Sequence, residues 1–144
     1  MATWSYTDKG SPADALLITG IELSPTPLTP GRTHVFTISA TAQTEIADGA
    51  YLQVVVKLGL IKLLTKDYDL LAELRGEGTL KLSCATSDGK SPIPKGDTTL
   101  TLTVDVPREV PRAKLVFDIR GYTVDDDDLL VLGATADFTQ ASGV

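Results

Sequence analysis

Four consecutive aspartates, Asp125–Asp128 in VDDDDLLVL, are the densest set of reactive side chains in the sequence. Carboxylates in a row can hold a hard cation, work as an acid–base pair, or keep a turn wet. Calcium takes about six to eight converging oxygens, from a loop that spaces its ligands around a glycine bend. DDDD has neither the spacing nor the glycine. An acid–base pair needs two carboxylates a set distance apart, one of them in an apolar pocket. Neighbours on a strand point to opposite faces, and a hairpin tip has no pocket. Aspartate tolerates turn geometry and stays solvated there, so the stretch is expected to be a hairpin tip.

Other reactive groups are sparse. The single histidine, His34, follows a Pro-Gly turn and is expected at the surface or at a strand edge. No serine or cysteine stands in a recognisable relation to it, and there is no G-x-S-x-G elbow. Cys84 is the only cysteine, which excludes an intrachain disulfide and, with one histidine, a zinc site. It is expected to act as a small buried hydrophobe. The GEG stretch at Gly76–Gly78 lacks the strand–loop–helix setting of a phosphate cradle. These observations point away from an enzyme, and no cofactor is expected.

The elements that must position these residues repeat with period two. Phe36, Ile38 and Ala40 alternate with Thr37, Ser39 and Thr41. Leu52, Val54, Val56 and Leu58 share one face of YLQVVVKL. Leu100, Leu102, Val104 and Val106 share another, as do Leu115, Phe117 and Ile119, and then Leu130, Leu132, Ala134, Ala136 and Phe138. Weaker strands are expected in LLITGIEL, with Leu17, Thr19, Ile21 and Leu23 on one face, and in TLKLSC. The breaks are turn chemistry. SPTPLTPG excludes a central strand, ADG at Ala47–Gly49 is expected to be a hairpin, and SDGKSPIPKGD and VPREVPR are connections. One short helix is expected in DLLAELRG, capped by Asp69 and ended by Gly76, with irregular loop as the alternative. The long apolar run Leu52–Leu64 is a core strand continuing into a second one, with a bulge or bend at Gly59, or else the wall of an apolar cavity. The fold class is all-β. Two antiparallel sheets of seven to eight strands in all face each other as an immunoglobulin-like sandwich, in one domain over 1–144.

Composition limits the partners. Thirteen basic against 19 acidic residues give a net charge of −6, which argues against a nucleic-acid binder. No polybasic segment drives membrane binding, though transient contact remains open. No apolar run approaches the roughly 18 residues of a membrane span. MATWSYTDKG does not have the pattern of a signal peptide. The expected location is cytoplasmic, or reached by export without a signal, with a secreted mature chain as the alternative.

Several stretches together resemble the ML (lipid-recognition) domain family, in particular its fungal phosphatidylglycerol/phosphatidylinositol transfer proteins. They are WSYTDKGSPAD, LLITGIELSPTPLTPG, GAYLQVVVKLGLIKLLTKDYDLLAEL, SPIPKGD, VPREVPRAKLVFDIRGYTVDDDDLLVL and ADF, in family order over nearly the whole chain. The resemblance implies sheets that part at one end to admit a lipid. It also implies binding or transfer of a phospholipid, sterol or fatty acid without catalysis. The family pattern has cysteines where this sequence has Lys9, Leu71, Ser91 and Val131. Their replacement fits a chain living where disulfides do not form.

The expected lipid-binding residues are the inward sets Phe36, Ile38, Leu52, Val54, Val56, Leu58, Leu100, Leu102, Val104, Leu115, Phe117 and Ile119. Tyr51 and Tyr122, being amphipathic, are expected at a mouth or in the core. A filled core would show the same pattern. The alternative function is a protein-interaction or immune-modulating sandwich that has lost the cavity.

Overall fold

The structure, a computed structural model, describes residues 3–139. Nine strands and one short helix follow in the order β1 (Thr3–Asp8), β2 (Leu16–Ser24), β3 (Thr33–Ala42), β4 (Tyr51–Leu58), β5 (Ile61–Asp69), α1 (Leu70–Leu74), β6 (Lys81–Cys84), β7 (Gly96–Asp105), β8 (Lys114–Tyr122) and β9 (Asp128–Asp137). One sheet has the strand order β1-β9-β8-β4-β5 and the other β2-β3-β7-β6, every pair antiparallel. The all-β sandwich holds as expected. The extra strand is β1, whose WSYTD carries too short an apolar stripe to stand out. Its ladder to β9 places it, and Trp4 anchors it edge-on against Phe36, with ring centres 4.9 Å apart.

Alternation sets the inner faces. Leu52 of β4 pairs with Gly121 of β8 and packs into the main core, so Val54, Val56 and Leu58 face inward with it, opposite Ile119, Phe117 and Leu115. In β2 the expected face holds only for Ile21 and Leu23. A bulge between Ile18 and Gly20 resets the alternation, and the first half buries Leu16 and Ile18 instead of Leu17 and Thr19.

Turn chemistry is local, and the structure shows where each turn leads. Ala47–Gly49 is not a hairpin. β3 and β4 belong to different sheets, so the turn carries the chain across the sandwich, and a bridge between Ile46 and Ile93 anchors it. The Gly59 bend, at φ +62°, instead closes a tight β4–β5 hairpin. The helix forms where Asp69 accepts a hydrogen bond from the Ala72 amide at 3.0 Å, and Gly76 at φ +80° follows it. It links β5, at the edge of one sheet, to β6, at the edge of the other.

The main core gathers Leu16, Ala42, Ile46, Ala50, Leu71, Ile93 and Leu129 near the β3–β4 crossing and α1. A smaller cluster of Leu28, Val106, Ala136 and Phe138 packs with Trp4, Leu115 and Phe117.

Candidate functional site

Most apolar side chains on the inner faces between the two clusters keep part of their surface exposed. Of the expected wall residues, Leu100 is buried at 5% exposure. Phe36, Ile38, Leu52, Val54, Val56, Leu58, Leu102, Val104, Leu115, Phe117 and Ile119 face the opposite sheet and remain half-buried. In a filled sandwich such positions are shut off from water by the facing sheet. Side-chain exposure rises towards β5. There Leu64, paired with Val56, and Ile61, paired with Leu58, share the inner face yet are 46% and 64% exposed. Lys66, on the same side, donates to Thr79 Oγ1 at 3.4 Å and lies over the Tyr68 ring at 4.9 Å.

Tyr51 and Tyr122 do not share that face. Both point outward, next to Leu52 and Gly121, with ring centres 5.2 Å apart beside the β8–β9 turn. The Tyr51 hydroxyl donates to Asp126 Oδ1 at 3.1 Å.

The aspartate run is the hairpin tip expected for it. Asp125–Asp127 form the turn and Asp128 opens β9. The Asp126 amide donates to the Thr123 carbonyl and the Thr123 amide to the Asp127 carbonyl. Asp126 sits at φ 63°, in left-handed geometry that Asp and Asn tolerate. The Tyr51 pKa is raised above the ordinary 10.0, first by the hydrogen bond to this carboxylate, then by partial desolvation of the ring and by the nearby negative charge. The fold therefore favours the neutral phenol. That contribution is present below pH 10 and is lost as pH rises through the folded-state value. Asp126→Asn is expected to keep the fold, because Asn accepts the same geometry and hydrogen bond. It should also lower the Tyr51 titration, read by ultraviolet absorbance, by only part of the shift, because the negative charge goes while a hydrogen bond to the side-chain oxygen stays. A large loss of stability in that variant would contradict the turn assignment.

His34 does not lie where the sequence suggests. It is wholly buried rather than at the surface. Its Nε2 accepts from the Thr29 amide at 2.9 Å, so Nδ1 carries the proton and donates to the Pro25 carbonyl, also at 2.9 Å. The ring thereby fastens the proline-rich loop to β3. Alternation could have found it, since His34 falls on the same face as Phe36 and Ile38. Cys84 is half-buried and contacts Thr98 Oγ1 at 3.2 Å.

Two hollows mark the outer faces. One, of about 280 Å³, lies on the five-stranded sheet between Lys9, Lys57, Lys62, Asp118, Arg120 and Val131. Asp118 pairs with Lys57 at 3.3 Å and Lys9 at 4.0 Å. Gly133 lacks a side chain where Lys9 crosses the sheet, and a Cβ there would stand 2.9 Å from Lys9 Cε. The other, about 520 Å³ and open, runs along β6 beside α1. Neither lies between the inner faces.

Two antiparallel sheets facing each other across half-buried apolar side chains define the class, an all-β sandwich. The chain belongs to the ML domain family, whose sequence model matches residues 3–138. It is 40% identical over 136 residues to a phosphatidylglycerol/phosphatidylinositol transfer protein of Cryptococcus neoformans var. neoformans serotype D, an alignment covering 94% of this chain and 71% of that one. A protein of the same name from Mycosarcoma maydis is 32% identical over 94% of this chain and 66% of its own. Among solved structures, the fold is similar to a Niemann-Pick type C2 protein from Japanese carpenter ant, with TM-score 0.62, 14% identity, and 91% and 96% of the two chains covered. It is also similar to chicken MD-1 complexed with lipid IVa, with TM-score 0.56, 12% identity and coverage of 93% and 97%.

Proposed function

We propose that the protein binds a lipid between its two sheets and transfers it between membranes without reacting it. The observation that carries this reading is the row of inward apolar side chains on β3, β4, β7 and β8 that the opposite sheet leaves half-buried. An acyl chain laid there removes that surface from water and gains about 0.8 kcal/mol per buried CH₂. A long chain is then held without an ionic anchor. The names of the fungal relatives, and the lipid in the chicken MD-1 complex, support a lipid ligand. Both nitrogens of the only histidine are engaged with backbone, which leaves it no role as a catalytic base. Native mass spectrometry and organic extraction of the purified protein are expected to reveal a bound phospholipid. The reading fails if none co-purifies and none of a panel of phospholipids, sterols and fatty acids binds.

One observation favours a second reading. Leu60, Ile61, Leu63 and Leu64 form an exposed apolar run, of the kind that docks a protein partner. Binding of such a partner with no uptake of lipid would select this interaction module over the carrier.

A further inference from the structure

Among the described residues, four of the five most exposed large apolar side chains lie within five positions of one hairpin. Leu60, at the β4–β5 tip, is 103% exposed, and Ile61, Leu63 and Leu64 follow it. Leu63 is the extra residue of the bulge opposite Val56 and Lys57, which turns consecutive leucines towards both sides of the strand. Nothing among the described residues covers this tip.

The charges around it are arranged for one kind of partner. The chain as a whole carries −6, yet residues 57–66, KLGLIKLLTK, hold three lysines and no acid. Lys57 and Lys62 are cross-strand neighbours on the outer face, and they join Lys9 and Arg120 around the 280 Å³ hollow. Asp118 offsets one of those four cations and leaves about +3 beside an apolar tip. Lys66 lies on the inner side of the same strand.

We propose that the β4–β5 hairpin docks the protein on an anionic membrane. The leucine tip enters the interface, and the basic hollow beside it takes the phosphate of an anionic lipid head group. Exposed leucines flanked by lysines suit an interface that is apolar below and negative above. The geometry also gives docking a purpose, resting on the carrier function. Ile61 and Leu64 continue the inner apolar face onto the edge strand β5, so a seated tip brings that edge to the bilayer, where an acyl chain can pass.

Co-sedimentation of the full chain with two kinds of vesicle tests this. One is phosphatidylcholine alone and the other phosphatidylcholine mixed with phosphatidylglycerol. The protein is expected to pellet with the mixed vesicles, to pellet less with phosphatidylcholine alone, and to be released by salt. Lys9→Gln with Lys62→Gln should weaken binding more than tenfold, since each cation near such a surface contributes roughly fivefold. Leu60→Glu with Leu63→Glu should abolish pelleting while leaving the melting temperature and the lipid held in solution unchanged, because both side chains already face water. The proposal is overturned if the leucine variant pellets as the parent does, or if the parent binds neither vesicle. Absence of lipid from the parent in solution would instead overturn the carrier function and leave the pelleting result to decide docking by itself.

Discussion

Val56→Glu is expected to abolish lipid retention while leaving the fold standing. Val56 lies on the inner face of β4, between Phe117 of β8 and Leu64 of β5, and is half-buried. In the empty protein a glutamate there can turn its carboxyl group to the water that already reaches Val56, so the folded state loses little. With an acyl chain in place the carboxyl group has no such route. Burying it ionised costs many kcal/mol, so the cheaper course is to protonate it first. For a group of ordinary pKa near 4.3, protonation at pH 7 costs about 3.7 kcal/mol. Even that route lowers affinity by a factor of several hundred. Native mass spectrometry of the variant should show the empty protein, and thermal unfolding should stay close to that of the parent. Lowering the pH towards 4 should restore part of the binding, because protonation then costs less. Val56→Leu, which keeps the face apolar, should still hold lipid. Retention of lipid by Val56→Glu at pH 7 would place the chain somewhere other than between the sheets.

How much of this was legible in the sequence differs from element to element. The inner faces of β3, β4, β7, β8 and β9 follow directly from alternation, because one side of each strand must be apolar and the period is two. The DDDD tip was legible for a related reason, since four carboxylates cannot be placed in a core. Connections were harder. The chemistry of Ala47–Gly49 specifies a turn, but a hairpin and a crossing to the other sheet use the same local residues. What decides is non-local: Ile46 bridges Ile93, and Ala42 and Ala50 are fully buried on either side. The bulge in β2 could not be read because Gly20 carries no side chain to report the change of face. His34 shows polarity overriding a signal that was present, since its position on the apolar face of β3 outweighs its type once Pro25 and Thr29 satisfy both ring nitrogens. The partial exposure of the inner side chains was not legible at all, because a filled core and a lipid-holding gap call for the same apolar residues at the same spacing.

Leu71→Ala is the substitution expected to cost the most stability. Leu71 is 1% exposed and packs with Ile46, Ile93 and Leu129 at the closed end of the sandwich. Because the inner side chains further along are only partly buried, this fully buried cluster does much of the holding of one sheet to the other. Truncation of a buried leucine costs about 2–5 kcal/mol, a large share of the roughly 5–15 kcal/mol that holds a domain folded. Leu71 is also a position where the family resemblance leads one to expect a cysteine. Loss of a native disulfide from a small domain costs about 2–5 kcal/mol as well. A leucine packed in place of half a bridge can therefore supply stability of the same order, which accounts for a sandwich that holds together with Cys84 as its single cysteine. Lys9 makes the contrast. It too stands where a cysteine is expected, but its side chain is exposed and its tie to Val131 is a backbone hydrogen bond of 3.0 Å that survives substitution. Lys9→Ala should therefore change stability by less than about 1 kcal/mol. Urea denaturation of the two variants checks the pair. A Leu71→Ala midpoint close to the parent's, or a Lys9→Ala loss as large as that of Leu71→Ala, would show that packing at the closed end is not what replaces the missing bridges.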